Sequence, residues 1–173
     1  HGRSGVWWDR SGTTIDVPEA HTRLDEGMGS QMTDRTARTE WEGGLAKGKG
    51  RTEFASSGIG TFDVSWPARA ESPNGMTSPE EMLAAAHSSC YSMALSNEIS
   101  KAGGTPENIE TRATVTFDTN AVKITTVALT VRARVDGLDA EGFEAAAQAA
   151  KNGCPVSQLF AGNAEITLDA ALS

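Results

Sequence analysis

A chain of 173 residues with 15 Lys and Arg against 23 Asp and Glu, a formal charge of -8, has no basic run to meet a phosphate backbone or an anionic bilayer, which argues against nucleic acid and membrane surfaces as partners. No stretch approaches the ~20 apolar residues that cross a bilayer, so a soluble, cytoplasmic protein is expected. Two cysteines are too few for a secreted disulfide scaffold and are not spaced as zinc ligands, which leaves paired-thiol chemistry open.

In chain order, residues 1–31 combine glycine, scattered charge and the Trp7-Trp8 pair, and end in Gly27-Met28-Gly29-Ser30-Gln31 just ahead of Met32. They lack the unbroken apolar core of a secretory signal and read as a vector-derived leader, outside the fold. Residues 32–173 are of the commonest size for one domain with one core. Short strands of antiparallel character are expected at 36–42, 50–57 and 61–66, separated by Gly43-Gly44, by the run from Lys47 to Gly50 and by Gly58. A Pro- and Gly-rich loop, 67–77, follows.

The organising stretch comes next. Ser78 can accept from the backbone of Glu81, Glu81 can reach back, and Pro79 sits where no donor is needed. These signals predict a helix from Pro79 to about Lys101, rich in Ala, Leu and Met, with two carboxylates in its first turn and Gly103-Gly104 as its stop. Steps of three and four from Leu83 reach Ala86, Cys90, Met93 and Ala94, an apolar stripe that places Cys90 toward a core or an interface. Strands are expected at 111–117 and 123–135; in the latter, Val127, Leu129, Val131, Ala133 and Val135 alternate with Thr130, Arg132 and Arg134, one face dry and one wet. Asp139 should cap a helix through Ala150 that buries Phe143, Ala146, Ala147 and Ala150. Asn152-Gly153 would stop it, and Pro155 would open a short helix with Cys154 near its cap, at a dipole end that favours a thiolate. A strand at 165–171 closes the chain. The pattern is that of an α+β domain, an antiparallel sheet covering apolar helices. The central helix is apolar on more than one side, which suggests that two such helices are shared in a homodimer.

Two cysteine motifs carry a resemblance. The run Thr77-Ser78-Pro79-Glu80-Glu81 through Ala85-Ala86-His87-Ser88-Ser89-Cys90-Tyr91-Ser92-Met93-Ala94-Leu95-Ser96, followed by Asn152-Gly153-Cys154-Pro155-Val156-Ser157, resembles the OsmC/Ohr family, and the OsmC branch more closely. The likeness extends over residues 38–173 and includes Trp41-Glu42-Gly43 and the Gly48-Lys49-Gly50 turn. It implies an intertwined homodimer and a thiol-dependent peroxidase that reduces organic hydroperoxides, and H2O2 more weakly, in oxidative or osmotic stress. It implies Cys90 as the attacking thiolate and Cys154 as the resolving partner, with no cofactor beyond an external thiol or dithiol reductant such as a lipoyl-type or thioredoxin-like donor. On the residues alone the two roles could be exchanged, because Cys154 has the better dipole; the resemblance assigns them. It also implies Arg69, in Trp66-Pro67-Ala68-Arg69, as the active-site arginine and Glu80 as the carboxylate that orients it. Lys49 and Arg51 are the other candidates for the activating cation, which is needed because Cys90 lies three turns into its helix, where the dipole has faded.

Glu80 and Cys90 are ten residues apart, about 15 Å of rise on one unbroken helix. Either the helix breaks between them, or the Arg69 and Glu80 beside Cys90 come from a second subunit. Two other readings stand beside the peroxidase. One is a non-enzymatic dimer that holds a hydrophobic small molecule; the other is a Cys-His hydrolase or acyltransferase with His87, one turn before Cys90, as base. His87 reads more readily as a packing or hydrogen-bonding residue, and Glu80 has the plain alternative of a helix-start carboxylate.

Overall fold

The computed structural model describes residues 32–173, so the leader expected at 1–31 lies outside the described residues. Three short strands come first, β1 (Arg38–Glu42), β2 (Lys49–Glu53) and β3 (Thr61–Ser65), paired antiparallel in the order β1-β2-β3. Trp41 pairs with Gly50 across β1 and β2. A Cβ on Gly50 would lie 2.8 Å from Trp41 Cε3, and one on Gly48 2.7 Å from Trp41 Cζ2. The indole therefore lies over glycine backbone, and the turn keeps glycine on both sides of Lys49 because any side chain there would displace the ring.

The expected third strand ran to Trp66 and was followed by a loop. Instead the chain turns at Ser65 into α1 (Trp66–Ala70), with the Ser65 hydroxyl accepting from the Ala68 N–H at 3.1 Å and a proline in the first turn. Ser65-Trp66-Pro67 is thus a helix start. It has a consequence for function, since α1 carries Arg69.

The central helix, α2 (Pro79–Lys101), runs 23 residues without a break. Ser78 caps it by accepting from Glu81 N–H at 3.1 Å, while the Glu81 carboxylate takes the Thr77 hydroxyl at 2.7 Å. At its far end Gly104 N–H reaches the Ile99 carbonyl and Gly103 N–H the Ser100 carbonyl, with Gly103 at φ +87°. That is a Schellman closure, which needs a residue free to be left-handed. The buried stripe is displaced from the expected one: it comprises His87, Tyr91, Leu95 and Ile99, spaced by four, whereas Cys90 is half-buried and Met93 is 67% exposed. Alanine and serine on every side of the helix left its apolar pattern too diffuse to choose between neighbouring stripes.

The second sheet is built from β4 (Thr105–Asp118), β5 (Lys123–Asp136) and β6 (Glu165–Leu172), with β5 in the centre. β4 starts earlier than expected because Pro106 is accommodated at a register shift on an edge strand. β4 and β5 are antiparallel, but β5 and β6 are parallel, which corrects the expectation of a wholly antiparallel sheet. Helices α3 (Ala140–Gly153) and α4 (Pro155–Phe160) form the connection between β5 and β6, long enough to return the chain in the same direction. Asp139 caps α3 through Gly142 N–H at 2.8 Å, and Phe143, Ala146, Ala147 and Ala150 are its buried side.

The core lies between this sheet and the helices. Leu129, Val131 and Ala133 of β5 meet Tyr91, Leu95 and Ile99 of α2 and the four buried residues of α3, with Cys154 a buried member of the same cluster. Tyr91 donates to the Ala147 carbonyl at 3.0 Å, tying α2 to α3. The first sheet contributes little: of its residues only Gly50, Thr52 and Val64 are buried, and Trp41 and Phe62 remain over 40% exposed.

Candidate thiol site

Cys90 and Cys154 are 64 residues apart in the chain and touch in space. α2 presents Cys90, half-buried, at its middle. The end of α3 delivers Cys154, whose N–H bonds the Ala150 carbonyl at 2.8 Å and whose carbonyl receives Gln158 N–H at 3.0 Å, so that one residue ends α3 and caps α4. Both cysteines are free thiols, with Cys154 buried and its sulfur 3.3 Å from that of Cys90. A disulfide has its sulfurs at ~2.05 Å, so closure requires an approach of about 1.3 Å.

Burial pushes the Cys90 thiol up from its ordinary pKa, the Val156 backbone N–H opposes this, and the neighbouring Cys154 thiol adds to the rise. Val156 is in the first turn of α4, where backbone donors have no partner within the helix. The helix start expected to favour a Cys154 thiolate thus directs an N–H to Cys90. Among the described residues, none of the groups that move Cys90 is a cation, and the net direction is upward.

Arg69 and Glu80 form a second cluster. Arg69 Nε lies 3.1 and 3.2 Å from the two Glu80 oxygens, and Nη2 2.8 Å from Oε1. Glu80 is buried and Arg69 about one-third exposed. The guanidinium lies 4.1 Å from the Phe117 ring centroid and 5.9 Å from that of Trp66, which meet edge to face. The arginine is thus held in one plane by a carboxylate and two aromatic rings. It borders a groove of about 370 Å³ lined by Trp41, Leu45, Trp66 and Met82. Lys49 and Arg51 stand on β2 with exposed side chains, Arg51 paired with Asp63 at 3.2 Å.

Because α2 is unbroken, Glu80 and Cys90 of one chain are separated by about 15 Å along its axis. The structure thus holds a thiol pair and an arginine-carboxylate pair at different levels of the same helix. His87 belongs to neither. Its Nε2 is 2.7 Å from the Ser157 hydroxyl, Nδ1 has no hydrogen-bond partner among the described residues, and its ring packs 5.4 Å from Phe160. No ring nitrogen bonds to Cys90, so the Cys-His arrangement is not formed, and burial lowers the His87 pKa. Among the described residues no group of His, Cys, Asp and Glu could hold a metal ion, and no helix is long and apolar enough to cross a membrane.

Sequence reading did not foresee Val156 as a donor, Phe117 as a wall behind Arg69, or Ser157 as the partner of His87. All three are contacts between distant segments with no local signal. Only Pro155, which marks the start of α4, hinted that the residues after it would have free N–H groups.

The OsmC-like protein family model matches residues 72–169, which contain both cysteines and Glu80. Peroxiredoxin OsmC of Escherichia coli K12 is 41% identical over 137 residues, 78% of this chain and 94% of that protein, and its Shigella flexneri counterpart matches equally. Among solved structures, the organic hydroperoxide resistance protein OhrB of Bacillus subtilis is 28% identical with a TM-score of 0.59, covering 78% of this chain and 97% of that one. An organic hydroperoxide resistance protein of Elizabethkingia anophelis, at 22% identity and a TM-score of 0.63 over 84% of this chain and all of the other, shares the fold. By its family match, its identity to these relatives and its α+β fold, the chain belongs to the OsmC family.

Proposed function

We propose that this chain, a hydroperoxide-reducing thiol peroxidase, attacks its substrate with Cys90 and resolves the product with Cys154. The observation that carries the reading is the 3.3 Å contact between two reduced sulfurs, one of which receives the Val156 N–H. The Cys90 thiolate attacks the distal oxygen of ROOH. The O–O bond breaks, the alkoxide takes a proton and leaves as ROH, and Cys90 becomes a sulfenic acid. The Cys154 thiol then attacks the Cys90 sulfur, the S–O bond breaks and water leaves, which gives the disulfide. An external dithiol returns both thiols by exchange.

The first step needs a thiolate, and the activating cation is Arg69 supplied by a second copy of the chain. Three features favour this: the 15 Å rise between Glu80 and Cys90, the exposed apolar side chains of the first sheet, and the half-covered Cys90 face of α2. In such a homodimer, Glu80 and the two aromatic rings orient the guanidinium, and the groove beside it takes the organic tail of the hydroperoxide.

The test is thiol counting. One equivalent of cumene hydroperoxide should remove both thiols of the parent. Cys90→Ser should consume none, and Cys154→Ser should consume about one equivalent, then stall or over-oxidise. Peroxide turnover by Cys90→Ser at the parent rate ends the assignment, and full dithiol-driven turnover by Cys154→Ser removes Cys154 from the cycle. A dimer that only binds a hydrophobic ligand would keep both thiols.

A further inference from the structure

We infer that the buried His87–Ser157 hydrogen bond is a positioning clamp for the resolving step, a role that rests on the assignment of Cys90 and Cys154 above. α4 has six residues, and the side chain at its cap, Cys154, makes no capping hydrogen bond. Such a helix is not stable by itself and depends on what holds it. Among the described residues, α2 and α4 share two polar side-chain contacts. Cys90 meets Cys154 at 3.3 Å, and His87 Nε2 meets Ser157 Oγ at 2.7 Å.

The two contacts are matched in spacing. His87 lies three residues before Cys90 on α2, and Ser157 three residues after Cys154 in the first turn of α4. In each helix three residues is about one turn, so the pairs stand side by side as successive rungs between the same two helices. His87 is fully buried and Ser157 is 3% exposed, so water does not compete for this bond. Phe160, at the other end of α4, stacks at 5.4 Å on the same imidazole. His87 therefore holds both ends of α4, and with them the Cys154 sulfur before Cys90.

Disulfide closure needs the two sulfurs to approach by about 1.3 Å. A tethered first turn makes that a small displacement. An untethered turn must first be recovered from a frayed ensemble, and during that time the Cys90 sulfenic acid is open to further oxidation. Ser157 and His87 touch no reacting atom and act through the placement of Cys154.

The test uses the full chain with Ser157→Ala, Ser157→Thr and His87→Gln, each mixed with one equivalent of cumene hydroperoxide. Attack is followed by peroxide loss, closure by loss of the second thiol, and the sulfenic acid by dimedone capture and mass spectrometry. Deleting a buried neutral hydrogen bond should slow closure about five- to tenfold, slow attack less than about twofold, and raise the dimedone adduct. Ser157→Thr, which keeps the hydroxyl, and His87→Gln, whose amide can still reach it, should recover most of the closure rate. On a Cys154→Ser background, Ser157→Ala should add no further adduct, because there is no resolving thiol left to place. Closure by Ser157→Ala at the parent rate overturns the clamp. So does equal slowing of attack and closure, or a Ser157→Thr protein as slow as Ser157→Ala. If the parent itself forms neither adduct nor disulfide, the peroxidase assignment has failed and the clamp falls with it, a result separate from a parent that closes normally beside an unaffected Ser157→Ala.

Discussion

Replacing Arg69 by alanine tests where the activating charge of the site comes from, and the structure sets the size of the effect. Suppose first that Arg69 acted on Cys90 of its own chain. With the guanidinium bonded to Glu80, it stands about 15 Å from Cys90 along α2. At that distance a unit charge in water is worth about 0.3 kcal/mol before screening, about a fifth of a pH unit in a thiol midpoint. A Debye length of ~8 Å at physiological salt and the opposing charge of Glu80 reduce it further. A guanidinium brought to ~4 Å by a second subunit, in a medium of effective dielectric ~20, is worth about 4 kcal/mol by itself, and with part of this offset by its Glu80 partner the midpoint still falls by about one to two pH units. The assay is the pH dependence of iodoacetamide alkylation of Cys90 in a Cys154→Ser protein, with and without Arg69→Ala. The expected result is a parent midpoint below the ordinary thiol range, moved upward by about one unit or more in Arg69→Ala. Co-refolding Cys90→Ser with Arg69→Ala, each inactive alone, should restore activity in the heterodimer, since one hybrid site keeps both an intact thiol and an intact arginine. A midpoint indifferent to Arg69, an active stable monomer, or verified heterodimers without activity would each refute the reasoning.

Three further outcomes are expected. Burial lowers the His87 pKa, so the unfolded chain binds the proton more readily than the folded one, and stability should fall as pH drops below about 6.5, by at most about 1.4 kcal/mol per pH unit for this group; urea unfolding from pH 7.5 to 5 should show a shallower slope in His87→Gln than in the parent, and identical slopes would exclude His87 as the source. Val122, exposed at the β4–β5 connection, holds φ +51°, a left-handed conformation that costs a β-branched residue; Val122→Gly or Val122→Asn should raise the melting temperature by about 2–4 °C, and a lower one would show that the valine makes a contact worth more than the strain. Tyr91→Phe removes the bond to the Ala147 carbonyl and should cost about 1–3 kcal/mol, seen as a lower urea midpoint with an unchanged slope; an unchanged midpoint would mean that the carbonyl finds another donor.

Elements fixed by local chemistry were legible in the sequence. The limits of α2 follow from Ser78, Pro79 and the Gly103-Gly104 pair, and the buried side of α3 from the spacing of Phe143, Ala146, Ala147 and Ala150. The alternation in β5 named its dry face correctly, since Val127, Leu129, Val131 and Ala133 are buried while Arg132 and Arg134 are exposed. What was not legible depended on distant parts of the chain. The direction of β6 is decided by the α3–α4 crossover, and a strand read alone has no preference between parallel and antiparallel neighbours. α1 was missed for the opposite reason: its signal, Ser65 before a proline, was present, but the valine and phenylalanine of β3 extended the strand pattern over it.

The apolar stripe on α2 shows how a local pattern can be right about chemistry and incomplete about location. Leu83, Ala86, Cys90 and Met93 form an apolar row, as their spacing requires. The chain's own sheet and α3 instead bury the adjacent row, His87, Tyr91, Leu95 and Ile99. The helix therefore has two apolar rows, one buried by the chain itself and the other only partly covered by it. Cys90 lies on the second, half-buried and meeting Cys154 and Val156, with no cation among the described residues that shift it, while Arg69 stands beside a groove near the start of the same helix. An antiparallel copy of α2 laid along that face would place residue 80 of one helix opposite residue 90 of the other if the crossing point lay near residue 85. The residue of that row nearest the crossing point is Ala86, exposed in the single chain and small enough to let two helix axes approach closely. A bulky substitution on that row, Ala86→Phe, should then separate the copies and abolish peroxide turnover while leaving the fold of each chain intact by circular dichroism. A variant that sediments as a monomer yet turns over at the parent rate would show that Cys90 is activated within its own chain.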